Sequence, residues 1–400
     1  MRLPTAALLL CACASTEPAD PLARAKELAR RFLIVDGHVD VPYRLHGQAP
    51  GQREDVGEAT AGGDFDYPRA VAGGLDAPFL SIYTPAEDEE RGQSKKVADE
   101  LIDLVEGIVR AHPDRFVVAR TAFEVRAAAS VGRIAFLLGM ENGSPIEGDL
   151  ANLEHFYARG VRYVTLCHGK DNHICDSSYD TRHTHSGLSL FGRMVVRRMN
   201  ELGILVDVSH VSDDAFWQAL EITRAPVIAS HSSLRHFVPG FERNMSDEMV
   251  RALARNGGVI LINFGSSFLT AAANDYYTRR ERALDLLKTT MKEGSAELRA
   301  ATARWELENP FPRASVRDVA DHIDRVVKLA GVDHVGFGSD FDGVGDSLPT
   351  GLEDVSKYPN LIAELQRRGY SDAAIEKVCG GNALRVLDQC ERVARESKGR

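Results

Sequence analysis

Eight short apolar runs, separated by amphipathic helical patterns, constrain what this chain can fold into more than any other feature. They cover residues 32–41, 77–84, 133–141, 161–168, 204–210, 226–231, 258–264 and 334–340. Helical patterns between them include 93–111, 188–202, 213–220, 246–256, 315–330 and 352–368. Strands that are apolar throughout are buried on both faces, and strands alternating with helices build a parallel sheet covered on either side. Eight such units are the count of a (β/α)8 TIM barrel, an α/β fold. A doubly wound open sheet is the competing arrangement, but it usually brings a glycine-rich phosphate loop after its first strand. Here the first run ends instead in His38-Val39-Asp40.

Two segments break the repeat. Residues 42–76, rich in Gly, Asp and Pro, read as a long loop after strand 1. Residues 265–312 read as a helical insertion after strand 7, with helical patterns at 281–292 and 296–307. Both follow strand C-termini, the face on which a barrel keeps its chemistry. The 400 residues are 44% hydrophobic and 26% charged, ordinary globular composition, and 21–400 read as one domain. A net charge of −10 without a Lys/Arg block argues against nucleic acid or an anionic membrane surface as the main partner. Small anionic substrates stay open, since one buried arginine can hold them.

Residues 1–20 stand apart. Arg2 precedes an apolar stretch from Leu3 to Ala14, and the polar Ser15-Thr16-Glu17-Pro18 follows. The stretch is too short to span a bilayer and has the form of an export signal. Cys13, within Leu10-Cys11-Ala12-Cys13, is the candidate acylated residue of an off-pattern lipobox; a plain cleavage site is the alternative. Export would place the mature chain in the periplasm or tether it to the membrane by lipid, and a cytoplasmic protein with a mis-assigned start is the competing reading. Beyond the leader, Cys167, Cys175, Cys379 and Cys390 are scattered and form no Cys-x-x-Cys, so neither a disulfide scaffold nor a zinc ribbon is expected. One or two disulfides would fit an oxidising compartment, with the pairing undetermined.

The runs end on metal-ligating residue types: His38 and Asp40, then Glu141, His168, His210, His231 and Asp340. Positions two apart on a strand point the same way, so His38 and Asp40 are expected to converge. Singly, each has an ordinary explanation. His210 can belong to a helix-capping segment, His231 can be a hydrogen-bonded core histidine, Glu141 a turn acid and Asp340 an Asx-turn residue. Together, at one barrel mouth, they read as a two-metal set, because each would cost free energy at a buried strand end without a partner. Imidazole and carboxylate without thiolate suit two Zn²⁺ ions ahead of Mn²⁺, Co²⁺ or Fe²⁺. A shared carboxylate would hold the pair about 3.5–4 Å apart around a hydroxide nucleophile. No G-x-S-x-G elbow or Cys–His arrangement points to covalent catalysis.

Several motifs match one family. They are Asp36-Gly37-His38-Val39-Asp40, Gly73-Gly74-Leu75-Asp76-Ala77-Pro78-Phe79, Gly139-Met140-Glu141-Asn142-Gly143, Leu166-Cys167-His168, Asp207-Val208-Ser209-His210, Ser230-His231-Ser232, Arg243-Asn244 and Gly338-Ser339-Asp340-Phe341-Asp342-Gly343. Over about residues 32–388 the chain resembles the membrane (renal) dipeptidases of the metal-dependent amidohydrolase superfamily. The resemblance implies a binuclear zinc barrel enzyme that hydrolyses small dipeptides, including those with a C-terminal D-residue. It also implies that His38 and Asp40 bind one zinc, that His210 and His231 bind the other, and that Glu141 bridges. Asp340 would shuttle the proton, His168 would stabilise the oxyanion, and Arg243 with Asn244 would bind the substrate's C-terminal end. Without the family, a salt bridge from Arg243 to Asp247 or Glu248 explains the arginine as well.

Cys167 replaces the threonine usual in that family and Val39 its usual asparagine. The loop 173–185 carries extra histidines, readable as a mobile substrate loop or as a second His-x-His metal site. Competing functions are an amidohydrolase acting on N-acyl amino acids or lactones, and a metal-stabilised binding protein without catalysis. A homodimer is left open.

Overall fold

The computed structural model describes residues 21–399. Its strands are β1 (Ile34–Val39), β2 (Leu75–Tyr83), β3 (Phe116–Val118), β4 (Ile134–Glu141), β5 (Val161–Thr165), β6 (Leu205–Asp207), β7 (Ile228–Ser232), β8 (Val259–Ile262) and β9 (Val335–Phe337). All pair in parallel, in the order β1-β2-β4-β5-β6-β7-β8-β9, and β9 returns to β1. Eight strands therefore close a barrel. β3 stands outside that ring and pairs only with β4, Phe116 opposite Ile134. It is not among the eight runs read from the sequence; three residues are too few to show a periodicity.

Alternate strand residues divide between two cores. Val35, Phe79, Leu137, Tyr163, Leu205, Ile228 and Leu261 share a cluster that continues onto Leu384 and Leu387 of the C-terminal helix. Ile34, Leu80, Phe136, Val206, Ala229, Ile260 and Ile262 instead pack with the surrounding helices, through Leu101, Val195, Leu253 and Ile323 among others. Burying each large aliphatic side chain contributes on the order of 1.5–3 kcal/mol. Several helices start on capping hydroxyls: Ser189 accepts from Gly192 N, Ser212 from Ala215 N and Ser246 from Met249 N. Each cap stabilises its helix by about 1 kcal/mol.

The segment after β1 is less of a loop than its composition indicates. It contains helices Val41–His46 and Tyr67–Gly73, each with a proline in its first turn, where no backbone donor is missed. Arg44 ties it down, pairing with Glu54 and placing Nε 3.0 Å from Asp342 Oδ2. After β8 come helices Ser266–Leu269, Ala271–Lys288 and Ala296–Glu308. No helix among the described residues is long and apolar enough to cross a membrane. Cys167, Cys175, Cys379 and Cys390 are buried and unpaired. The export and acylation readings at 1–20 and Cys13 lie outside the described residues.

Candidate metal centre

Most of the strands that carry ligand candidates end earlier than the apolar runs, and the local backbone does the aiming. In β1 the register passes from Asp36 opposite Pro78 to Val39 opposite Leu80, three steps against two. Such a bulge turns His38 towards the barrel axis, where strict alternation would send it outward. β7 repeats the device: Ala229 to Ser232 stands against Ile260 to Ile262, with His231 inside the bulge. His210 and Asp340 lie three residues beyond β6 and β9 and take left-handed conformations, φ 69° and 64°. Asp342 and Asn142 do the same at 66° and 75°. Non-glycine residues hold that conformation only when the surroundings impose it, and such strain gathers at functional sites. Asp40 lies just past β1, at the N-terminus of helix Val41–His46, so the expected same-face pairing within one strand is corrected to a strand residue and a helix-start residue. His168 likewise lies beyond β5.

The seven candidates do converge. Glu141, the last residue of β4, divides its oxygens. Oε2 lies 3.2 Å from His38 Nε2 and accepts a 3.1 Å hydrogen bond from Ser81 Oγ. Oε1 lies 3.2 Å from His210 Nε2, 3.3 Å from His231 Nε2 and 3.5 Å from His168 Nε2. Asp40 Oδ2 is 3.2 Å from His38 Nε2. Ligand atoms lie within 4.8 Å of one another in three overlapping groups: His38, Glu141, His231; Glu141, His168, His210; and His38, Asp40, Asp340. No such group occurs among the described residues of 173–185.

Burial and neighbouring charge set the protonation. Burial would raise Glu141, but His38 and His168 beside it, with hydrogen bonds from His210 and His231, hold it well below the usual carboxylate range. Burial, with the nearby Arg243 cation, keeps His210 and His231 well below the ordinary imidazole value, in the neutral form that ligates. Burial also lowers His168. Asp340 is raised to about 8 by burial, with Asp40 and Glu141 adding to it against the pull of His38.

A second layer orients the imidazoles. His38 Nδ1 meets the Tyr163 hydroxyl at 2.7 Å. The Tyr163 ring lies directly over Gly139, where any side chain would collide with it. His231 Nδ1 meets Ser230 Oγ at 2.7 Å, and Ser230 Oγ donates to Asp207 Oδ2 at 2.6 Å. Asp207 also accepts from Thr165 Oγ1 and from the Ser209 and Ser230 amides. Asp36 is its counterpart across the barrel, accepting from the His38 and Ser339 amides and from the Tyr358 hydroxyl. Asn263 Nδ2 donates to Asp340 Oδ2 at 2.7 Å. Sequence reasoning assigned no role to Asp36, Asp207, Tyr163 or Asn263. The signal was present for the two aspartates, because a carboxylate inside an apolar strand needs donors around it.

The donor set fits divalent cations. His38 Nε2 is buried without a hydrogen-bond partner and points at two carboxylates. The Nε2 atoms of His210 and His231 are 2.8 Å apart and face the same carboxylate oxygen. Outer partners on Nδ1 of His38 and His231 are the usual support for Nε2 ligation.

Arg243 is 3% exposed. It donates to Ser232 Oγ and the His231 carbonyl, lies over the Phe268 ring, and leaves Nε unpartnered. It pairs with neither Asp247, which binds Arg325, nor Glu248. A buried guanidinium without a carboxylate partner among the described residues is ready for an anionic ligand. Asn244 is buried, its amide donating to the Leu234 and Phe268 carbonyls. The pocket itself, about 530 Å³, is lined by Asp40, Glu141, His168, His210 and Asp340 at its base and by Tyr43, Tyr83, Tyr179, Phe268 and Tyr277 above.

Comparison with known proteins agrees with this geometry. Residues 22–400 match the family described as membrane dipeptidase, peptidase family M19. Dipeptidase verJ of Clonostachys rogersoniana is 34% identical over 95% of this chain and 89% of its own length. Among solved structures, the probable dipeptidase PvdM of Pseudomonas aeruginosa is 28% identical with a TM-score of 0.79, covering 94% of this chain and all of that one. A metallopeptidase of Rhodobacter sphaeroides, solved with a phosphinate mimic of the dipeptide L-Ala-D-Ala, is 25% identical with a TM-score of 0.73 over 90% of this chain and 99% of that one.

Proposed function

The chain belongs to the membrane dipeptidase family, whose members are metallopeptidases, and from that premise we propose that it is a binuclear zinc dipeptidase acting on small dipeptides, C-terminal D-residues included. The observation that carries the proposal is Glu141, whose two oxygens face separate ligand groups as a bridging carboxylate must. His38 and Asp40 would hold one cation, and His210 and His231 the other. Two divalent cations so held would lower the pKa of bound water towards neutrality and supply a nucleophile at neutral pH.

The chain's own residues do the rest. Asp340, fixed by Asn263, would be held as the carboxylate by the bound cations, take a proton at its free oxygen and return it to the leaving amine. His168 lines the pocket beside Tyr83 and donates from Nε2 to the scissile carbonyl oxygen as charge develops there. Arg243 receives the substrate carboxylate, and Asn244 holds the Phe268 segment in place. The bound L-Ala-D-Ala mimic in the Rhodobacter sphaeroides relative supports including D-residues.

The test is hydrolysis of free dipeptides against N-acyl amino acids and lactones, with and without chelator. Dipeptide cleavage that stops on chelation and returns with Zn²⁺ is expected. Cleavage of acylated substrates or lactones alone would select the competing amidohydrolase function. The leader at 1–20 supports export with acylation at Cys13; loss of membrane association in Cys13→Ser tests it.

A further inference from the structure

The pocket brings a cluster of carboxylates, a nearby buried guanidinium and several partly uncovered rings together. Asp40, Asp340 and Asp342 line the pocket, with Gly343 so close to the first two that a side chain there would collide with both carboxylates. Arg243 is buried beside the pocket-lining Phe268, its guanidinium 5.4 Å from that ring centre. Tyr179 is 5.9 Å from His210 and 6.1 Å from Phe241, which in turn packs on Phe268, the ring over Arg243. Tyr277 reaches in from helix Ala271–Lys288 and meets Ser347 across the opening. Tyr179 and Tyr277 keep 44% and 49% of their surface exposed, although each lines the cavity.

We infer that this enzyme prefers dipeptides whose C-terminal residue carries an aromatic or large aliphatic side chain, and that Phe268, Tyr179 and Tyr277 set the preference. The inference rests on the dipeptidase reading and on Arg243 as the carboxylate anchor. A C-terminal side chain and the terminal carboxylate leave the same Cα, so Phe268, the ring against the anchor, must meet that side chain; Tyr179 joins it through Phe241, and Tyr277 lines the same cavity. A substrate ammonium is drawn to the aspartates, near which Tyr43 and Tyr83 are already packed edge to face against each other. A cavity of about 530 Å³ leaves room beside a dipeptide backbone for one ring. Apolar surface left open to water is what such a ring would cover.

The experiment compares kcat/KM of the zinc-loaded full chain for Ala-Gly, Ala-Ala, Ala-Leu and Ala-Phe, with both configurations at the second residue, and for Leu-Ala and Phe-Ala. Ala-Phe is expected to exceed Ala-Ala by about 10- to 100-fold, the range an apolar pocket can discriminate, mainly through KM. Phe268→Ala and Tyr179→Ala should collapse the Ala-Phe to Ala-Ala ratio, and Phe268→Leu should keep part of it. Equal rates on Ala-Ala, Ala-Leu and Ala-Phe, or a preference for Phe-Ala over Ala-Phe, would overturn the inference while leaving the dipeptidase reading intact. Failure to cleave any dipeptide would overturn the reading beneath it.

Discussion

Asp207→Asn tests whether a carboxylate two bonds removed from the centre decides where the His231 proton sits. Asp207 accepts four hydrogen bonds, two amides on Oδ1 and two hydroxyls on Oδ2. Asparagine can keep the amides on its carbonyl oxygen, but its NH₂ then confronts Thr165 and Ser230, both of which had been donors. Ser230 Oγ must turn and accept, and its proton goes to the one other partner within reach, His231 Nδ1, 2.7 Å away. His231 is thereby driven to carry its proton on Nε2, the atom facing Glu141. Restoring the ligating tautomer means breaking or reversing one buried hydrogen bond, at about 1–3 kcal/mol. Metal affinity should fall about 10- to 100-fold, the usual span for losing such outer support. Chelator competition on the folded variant measures it, and Ser230→Ala, which removes the relay without forcing a proton onto Nε2, should lose less. Affinity within about threefold of the parent protein would refute the reasoning.

Asp340→Asn should retain metal content yet lose about 10²- to 10⁴-fold in kcat, the contribution of a general acid–base group; metal analysis beside steady-state rates checks both halves. His322 is buried, accepts from Leu234 N and meets the Leu269 carbonyl, and its pKa is lowered to about 4 by burial. The unfolded chain binds that proton more readily, so stability should drop by up to about 3 kcal/mol as pH falls from about 6.5 to 4. Urea midpoints across that window should fall less steeply in His322→Gln. Asp76 is raised to about 6 by burial. Here the native state holds the proton more tightly, so stability declines as pH rises from about 4 to 6. Asp76→Asn keeps an acceptor for Ile34 N and should be about 1–2 kcal/mol more stable at pH 8; an unchanged melting curve would contradict this.

The strand-helix alternation was visible in the sequence because buried parallel strands must be apolar on both sides, and the ends of those runs named the candidate ligands because His, Asp and Glu are conspicuous there. Asn244 shows the limit of motif reading: it adjoins Arg243 in sequence, yet its side chain supports a neighbouring loop. The helices in 42–76 were hidden by Gly, Asp and Pro, residues that mark both turns and helix starts. Asp36 and Asp207 were hidden because their donors lie on other strands.

What the amino-acid order alone determined is the barrel and the identity of the seven chemical groups, since periodicity and residue type are local properties. Only the tertiary structure decided that those groups meet. Alternation by itself would point His38 and His231 away from the axis, and bulges at Asp36–Val39 and Ala229–Ser232 turn them inward. Left-handed residues do the same for His210 and Asp340. Each departure is unfavourable in isolation and is held by contacts from neighbouring strands that no single stretch of chain contains.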